Sequence, residues 1–308
     1  MKYFFKIIFS NTLIIIVLLL IGELCSFLIE INVLLKEGCF PEEKKIIKIS
    51  KILQHYYNIV SNWNNEPYQP CDIRKPVITT SEEKNIYLLG CSFAYGHQLK
   101  IEETIQYKLA KQTKKNVYNL AISSTGPREM LHILRNKKFL NENNLRADKS
   151  EYFIYIIIDD HYRRLIYDLN EHAPHYKKEN NNKLILLKNK IFYCSYLYRQ
   201  LKLLQYRYTS KQKLEKLFNL YIEEINKEIK SNFKNSQNQP TELIILDWSS
   251  NIILPKQLEE QGIRVLHLKE LIEINLNDTE YYISKNDCHP NAKAWEVIAP
   301  ALVKELNL

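Results

Sequence analysis

None of the six cysteines pairs with another in a CxxC spacing, so the usual sequence pattern of a cysteine metal site is missing. His172 and His175 do not replace it, because Pro174 between them breaks helical spacing and no third ligand accompanies them. Internal repeats and long low-complexity tracts are also absent, which leaves 308 residues for one sizeable domain plus accessory segments. The net charge of +8 has no concentrated basic stripe interleaved with aromatics, so a nucleic-acid partner is excluded. The lysines read instead as solvated surface. Their densest stretch, Lys177 to Lys190, is rich in Asn and reads as a loop or hairpin. Unspecific attraction to anionic polymers or lipid head groups stays open. Finally, no small-x-small cleavage site follows the apolar N-terminus, which argues against a removed signal peptide.

That N-terminus is the longest apolar feature present. The run from Ile7 to Gly22 is almost wholly apolar, and apolar character continues past Glu23 to Leu35. A stretch of about twenty such residues fits a membrane-spanning helix. It has no polar face, as a surface helix would. Glu23, close before Cys25, argues against a lipoprotein acceptor cysteine. Lys2 and Lys6 precede the span, while Glu23, Glu30 and Glu37 accompany its far end. Positive-inside bias then keeps the N-terminus cytoplasmic and exports the remainder as a single-pass, membrane-anchored protein, periplasmic or extracellular. Export would permit disulfides, and Cys39 and Cys71 are candidates to pair.

Residues 1–35 thus read as an anchor and 36–83 as a connecting segment, helical around Lys44 to Val60. From Lys84 to the C-terminus short apolar runs alternate with helical stretches. Candidate strands are Ile86–Leu89, Val117–Leu120, Tyr152–Ile158, Leu243–Leu246 and Val265–Leu268. They are continuous rather than alternating, as parallel strands covered on both faces require. Helices are expected near Glu102–Thr113, Pro127–Phe139, Tyr196–Lys234 and Lys256–Gln261, with a last one from Asn291. The alternation predicts an α/β fold, a doubly wound three-layer α/β/α sandwich on a parallel sheet. An insertion at about 161–240 exceeds an ordinary connection. It holds Leu184–Leu187, a possible extra strand, and reads equally as a lid, a substrate platform or added scaffold.

Two distant segments carry the chemistry. Ser92 follows the apolar run Ile86–Leu89 and Gly90, a residue that permits a sharp turn. A serine at such a junction can raise its hydroxyl above the C-terminal edge of a sheet. A hydroxyl is a poor nucleophile until a base removes its proton, and an imidazole oriented by a carboxylate is the usual base. His289, with Asp287 two residues before it, supplies both parts in one loop. Taken singly, Ser92 and Asp287 read as helix caps and His289 as a helix-entry residue. Taken together they point to a serine-nucleophile hydrolase or acyltransferase.

Gly90-Cys91-Ser92-Phe93-Ala94-Tyr95-Gly96 resembles the first block of the SGNH (GDSL-type) hydrolase superfamily. Asn119 to Gly126 resembles the second, Ile158-Asp159-Asp160-His161 falls at the third, and Asp287-Cys288-His289-Pro290-Asn291-Ala292 resembles the last. The resemblance covers Lys84 to the C-terminus. It implies a flavodoxin-like sandwich, a Ser92–His289–Asp287 triad, no metal or organic cofactor, and an acylated small molecule, lipid or polysaccharide as substrate. Three positions depart from the family pattern. Cys91 replaces Asp, and Ser124 stands where a glycine normally contributes an oxyanion amide. Asp159 or Asp160 occupies the place of an oxyanion-hole Asn, where an ionised carboxylate would repel the oxyanion. Loss of one such donor costs about 2.7–4 kcal/mol in the transition state. Four remedies are open: a protonated Asp, His161 as donor, the amides of Ser92 and Ser124, or an Asp that points away. Arg163 and Arg164 either bind an anionic group or are solvated. The same acidic third block supports an alternative, a catalytically weakened domain that binds glycans or assembles at the membrane.

Overall fold

Unbroken apolar runs place their residues on both faces of a sheet at once, and such strands are stable only between two layers of helices. The computed structural model describes residues 21–22, 73–78, 84–143, 145, 149–166, 174–179, 183–187, 196–249, 257–272, 279–284 and 287–308. Its strands are β1 (Arg74–Val77), β2 (Asn85–Leu89), β3 (Asn116–Asn119), β4 (Ser150–Ile157), β5 (Tyr176–Lys178), β6 (Leu184–Leu186), β7 (Glu242–Asp247), β8 (Arg264–His267), β9 (Tyr282–Ser284) and β10 (Asp287–Pro290). Its helices are α1 (Ser92–Tyr95), α2 (Ile105–Thr113), α3 (Pro127–Arg135), α4 (Lys137–Glu142), α5 (Asp160–Arg163), α6 (Tyr196–Tyr208), α7 (Lys211–Asn232), α8 (Gln257–Glu260), α9 (Leu268–Leu271) and α10 (Ala292–Leu306).

The main sheet has the order β1-β3-β2-β4-β7-β8. From β3 to β8 every neighbouring pair is parallel. The chain leaves β2 for β3 on one side and then crosses to β4 on the other. Connections therefore diverge beyond the carboxyl ends of β2 and β4, where such sheets open a crevice.

The sheet is parallel except at one edge, where β1 pairs antiparallel with β3. The sequence reading assigned this stretch to the 36–83 connection. Four residues, RKPV, two of them exposed, give no apolar run to detect, and Pro76 is tolerated because β1 is an edge.

Alternate side chains divide the core. Ile86, Leu88, Ile154, Ile156, Ile244 and Leu246 join α2 and α10 through Leu109, Trp295, Ile298 and Leu302. On the other face Tyr87 stacks on Phe153 at 4.7 Å, and Phe233, which ends α7, meets Phe153 edge-on at 4.8 Å. Each such fully buried side chain contributes about 1.5–3 kcal/mol.

Two expected helices are interrupted. Asn136 caps α4 by accepting the Phe139 amide at 3.1 Å. The single helix expected over Tyr196–Lys234 is two, because Ser210 caps α7. The Asn-rich stretch forms an antiparallel hairpin, β5–β6.

The chain packs as two units, Met1–Glu66 with Asn189–Tyr208, and Pro67–Lys188 with Thr209–Leu308. The sheet and the site belong to the second. No helix among the described residues is long and apolar enough to cross a membrane. Apart from residues 21–22, the expected anchor lies outside the described residues, as do Cys25, Cys39, Cys71, Cys194 and His172.

Candidate active site

Ser92 is placed by the end of β2. Gly90 adopts φ +144°, and a Cβ there would stand 2.9 Å from the Ile156 carbonyl and 3.0 Å from Ala94 Cβ. The turn thus needs glycine on two counts, conformation and space. Cys91 precedes α1 and Ser92 is its first residue, buried, with the rest of the block forming the single helical turn. The second block holds this turn in place. Asn119 donates to the Ala94 carbonyl at 2.8 Å, and Thr125 Oγ1 donates to the Gly90 carbonyl at 3.1 Å.

The partner residues arrive on β10, which pairs with β9. Asn291 secures the exit. Its side chain accepts the Ala294 amide at 3.1 Å, capping α10, and donates to the carbonyls of Glu280 and Tyr282 at 2.7 and 2.9 Å. In this loop Cys288 is the exposed residue, between the half-buried Asp287 and His289. His289 Nε2 stands 2.7 Å from Ser92 Oγ, and His289 Nδ1 hydrogen-bonds Asp287 Oδ1. The His289 backbone N–H also donates to Asp287 Oδ1, at 3.0 Å. Burial alone would raise the Asp287 carboxyl, but the backbone and ring hydrogen bonds from His289, with the charges of His289 and His97, outweigh it and hold it below its ordinary range. An ionised carboxylate only accepts, so Nδ1 carries the ring proton and Nε2 is left to accept from the serine hydroxyl.

No family model matches this chain, and no curated protein does. Among solved structures it is similar to TesA at 12% identity, covering 72% of this chain and 98% of that one with a TM-score of 0.39. It is similar to the psychrotrophic esterase EstA from Pseudoalteromonas sp. at 12% identity, covering 73% and 97% with a TM-score of 0.38. A catalytic mutant of Axe2, an acetylxylan esterase from Geobacillus stearothermophilus, matches at 10% identity, covering 75% and 97% with a TM-score of 0.40.

The oxyanion candidates fall into separate places. The Ser92 amide opens α1 and, as a first-turn N–H, has no intrahelical acceptor. Ser124 is exposed and left-handed at φ +64°, so the backbone shape that favours glycine persists despite its side chain. The third block gives its Asp160 carboxylate to arginines. Arg163 Nε and Arg164 Nε reach the Asp160 carboxylate at 2.6 and 2.8 Å, an ion-pair cluster within one helical turn. Asp159 begins that turn without a side-chain cap bond. His161 is fully buried, its ring 5.6 Å from that of Tyr155, and neither ring nitrogen finds a partner among the described residues. Burial first, and the Arg164 charge second, hold it uncharged, well below the usual histidine range.

A substrate-binding role does not suit Arg164. It is buried, lies against Cys91, and donates Nη1 to the Thr125 carbonyl at 2.6 Å. It therefore ties together the first three blocks, and Gly126 packs on its stem.

Several neighbours of the site went unread in the sequence. The His97 ring lies 5.0 Å from that of His289, Gln98 Nε2 donates to Asp287 Oδ2 at 3.3 Å, and Phe93 sits 5.2 Å from His289 with Trp248 edge-on behind it. The only signal for the first two was position, directly after the first block. A second Ser–Asp–His group, Ser249, Asp247 and His267, ends β7 and β8. There Asp247 stands between the other two, accepting from Ser249 Oγ and pairing with His267 Nδ1 at 2.8 Å, so His267 Nδ1 meets the carboxylate rather than the hydroxyl. Among the described residues no group of three His, Cys, Asp or Glu side chains is placed to hold a metal.

Proposed function

We propose that the chain is a serine ester hydrolase of the SGNH type whose reaction runs through Ser92. One observation carries this reading: Ser92 Oγ lies 2.7 Å from His289 Nε2, with Asp287 bonded behind the ring. The strand order and the placement of Ser92 beyond the carboxyl end of β2 support it.

As Ser92 Oγ attacks the ester carbonyl carbon, its proton passes to His289 Nε2. The carbonyl π electrons move to oxygen, and the Ser92 amide with the Ser124 loop faces that negative charge. Collapse expels the alcohol, which takes the proton from His289, and leaves an acyl group on Ser92. Water then gives the carboxylic acid, or a sugar hydroxyl gives a transferred ester. Asp287 remains ionised throughout and stabilises the imidazolium. These steps require no metal or organic cofactor. The apolar run with its flanking charges favours an anchored, exported enzyme, and hence acyl esters of envelope or secreted glycans or lipids as substrates.

A second reading is a weakened SGNH-like module that binds glycans or assembles at the membrane. It is favoured by the acidic third block, in which the Asp160 carboxylate is taken up by Arg163 and Arg164 and supplies no amide donor. A fluorophosphonate probe on the full-length protein in mild detergent separates the two. The enzyme reading expects covalent labelling at Ser92 that vanishes in Ser92→Ala, with aryl acetate turnover falling by about 10⁴-fold or more. A folded protein that neither labels nor turns over these esters overturns it in favour of the binding module.

A further inference from the structure

Arg74 lies on β1, yet its guanidinium reaches the turn that follows the nucleophile. Nε donates to the Tyr95 carbonyl at 2.6 Å, and Nη2 donates to the carbonyls of Gly96 and Leu99 at 2.6 and 3.0 Å. One planar donor thus holds three carbonyls of a single turn. Two side chains of that turn face the Asp287–His289 pair. Gln98, left-handed at φ +61°, donates Nε2 to Asp287 Oδ2 at 3.3 Å. The half-buried His97 ring lies 5.0 Å from that of His289.

We propose that this clamped turn is a positioning element for the triad, in which Gln98 holds the Asp287 oxygen that His289 leaves unused and the His97 ring stands against that of His289. The proposal rests on the Ser92 reading above. A carboxylate bonded through one oxygen can still swing about its Cβ–Cγ bond, whereas a donor on the second oxygen fixes its plane and keeps Oδ1 aimed at Nδ1. A non-glycine residue persists at φ +61° only where its surroundings over-determine it, and Arg74 supplies that constraint.

The charged groups facing His97 are His289, Asp287 and Arg74. Burial and the His289 charge lower its proton affinity, Asp287 opposes them, and Arg74 adds to the lowering. His97 therefore takes up a proton less readily than a free imidazole, which works against a second positive charge beside the imidazolium.

The test uses the full-length protein and three variants. Gln98→Gly suits the left-handed backbone and removes only the donor, so kcat should fall about three- to tenfold with KM unchanged while folding stability does not fall. His97→Lys places a fixed charge beside His289 and should move the acid limb of kcat/KM, and the His289 midpoint followed by NMR of its ring C–H, down by about 0.5 pH unit. His97→Asn should leave both in place. If wild type labels at Ser92 and Gln98→Gly keeps its kcat while His97→Lys leaves the His289 midpoint unmoved, the positioning role is wrong. If wild type neither labels nor turns over esters, the enzyme reading fails, and the NMR midpoints still decide the contact: a shift in His97→Lys but not His97→Asn upholds it, and no shift overturns it.

Discussion

A serine hydroxyl beside an imidazole is reactive or inert according to what holds the far side of the ring. Here that is Asp287, whose carboxylate accepts from both the ring and the backbone of His289. Asp287→Asn preserves the shape but lets the amide favour the wrong ring tautomer, so kcat for aryl acetates should drop by about 10⁴-fold with little change in KM. The same carboxyl binds its proton less readily folded than unfolded, where the ordinary value is 3.8. Its stabilising effect is present above that value and is lost as pH falls through the lower folded one. Urea midpoints of wild type and Asp287→Asn should therefore begin to converge as pH falls below about 3.8, and a gap that stays constant on further acidification refutes the assignment. Ser92, Asp287 and His289 were legible in the sequence because each belongs to a short local pattern, a glycine turn or a loop entering a helix. The fate of Asp160 was not. Its partners Arg163 and Arg164 are three and four residues away, but α5 is a single turn, too short to show helical periodicity.

At the scale of elements, the second-block loop carries a cost that the first-block turn avoids. Ser124 keeps a Cβ in the left-handed region, which disfavours non-glycine residues by roughly 1–2 kcal/mol. Ser124→Gly should raise the urea-derived stability by about 1 kcal/mol, reduced somewhat by the freer unfolded chain. Probe labelling at Ser92 should persist, since the group proposed to face the oxyanion is a backbone amide. A destabilised Ser124→Gly would mean that the hydroxyl itself anchors the loop. The central strands β2, β4 and β7 were readable because burial on both faces demands continuous apolar runs. The long helix over Tyr196–Lys234 was misread because Thr209–Ser210 interrupts the apolar pattern by one cap without glycine or proline. β1 escaped notice for the opposite reason, having too little apolar content to register.

Across the whole molecule, the fold buries one imidazole that finds no hydrogen-bond partner among the described residues. His161 is uncharged in the fold but titrates near 6.5 once unfolded, so the unfolded chain binds more protons as pH falls below that value. Stability should be fully present above pH 6.5 and decline below it, and His161→Phe should flatten that decline. Denaturation series between pH 7.5 and pH 5 with equal slopes for both proteins would contradict this. The antiparallel strand bears on how the molecule can be divided. A fragment started at Lys84, where the apolar texture begins, discards Arg74 and leaves the outer hydrogen-bonding groups of β3 without a mate. An unprotected strand edge of that kind recruits other chains, so such a truncation favours aggregates over soluble monomer, whatever its catalytic competence.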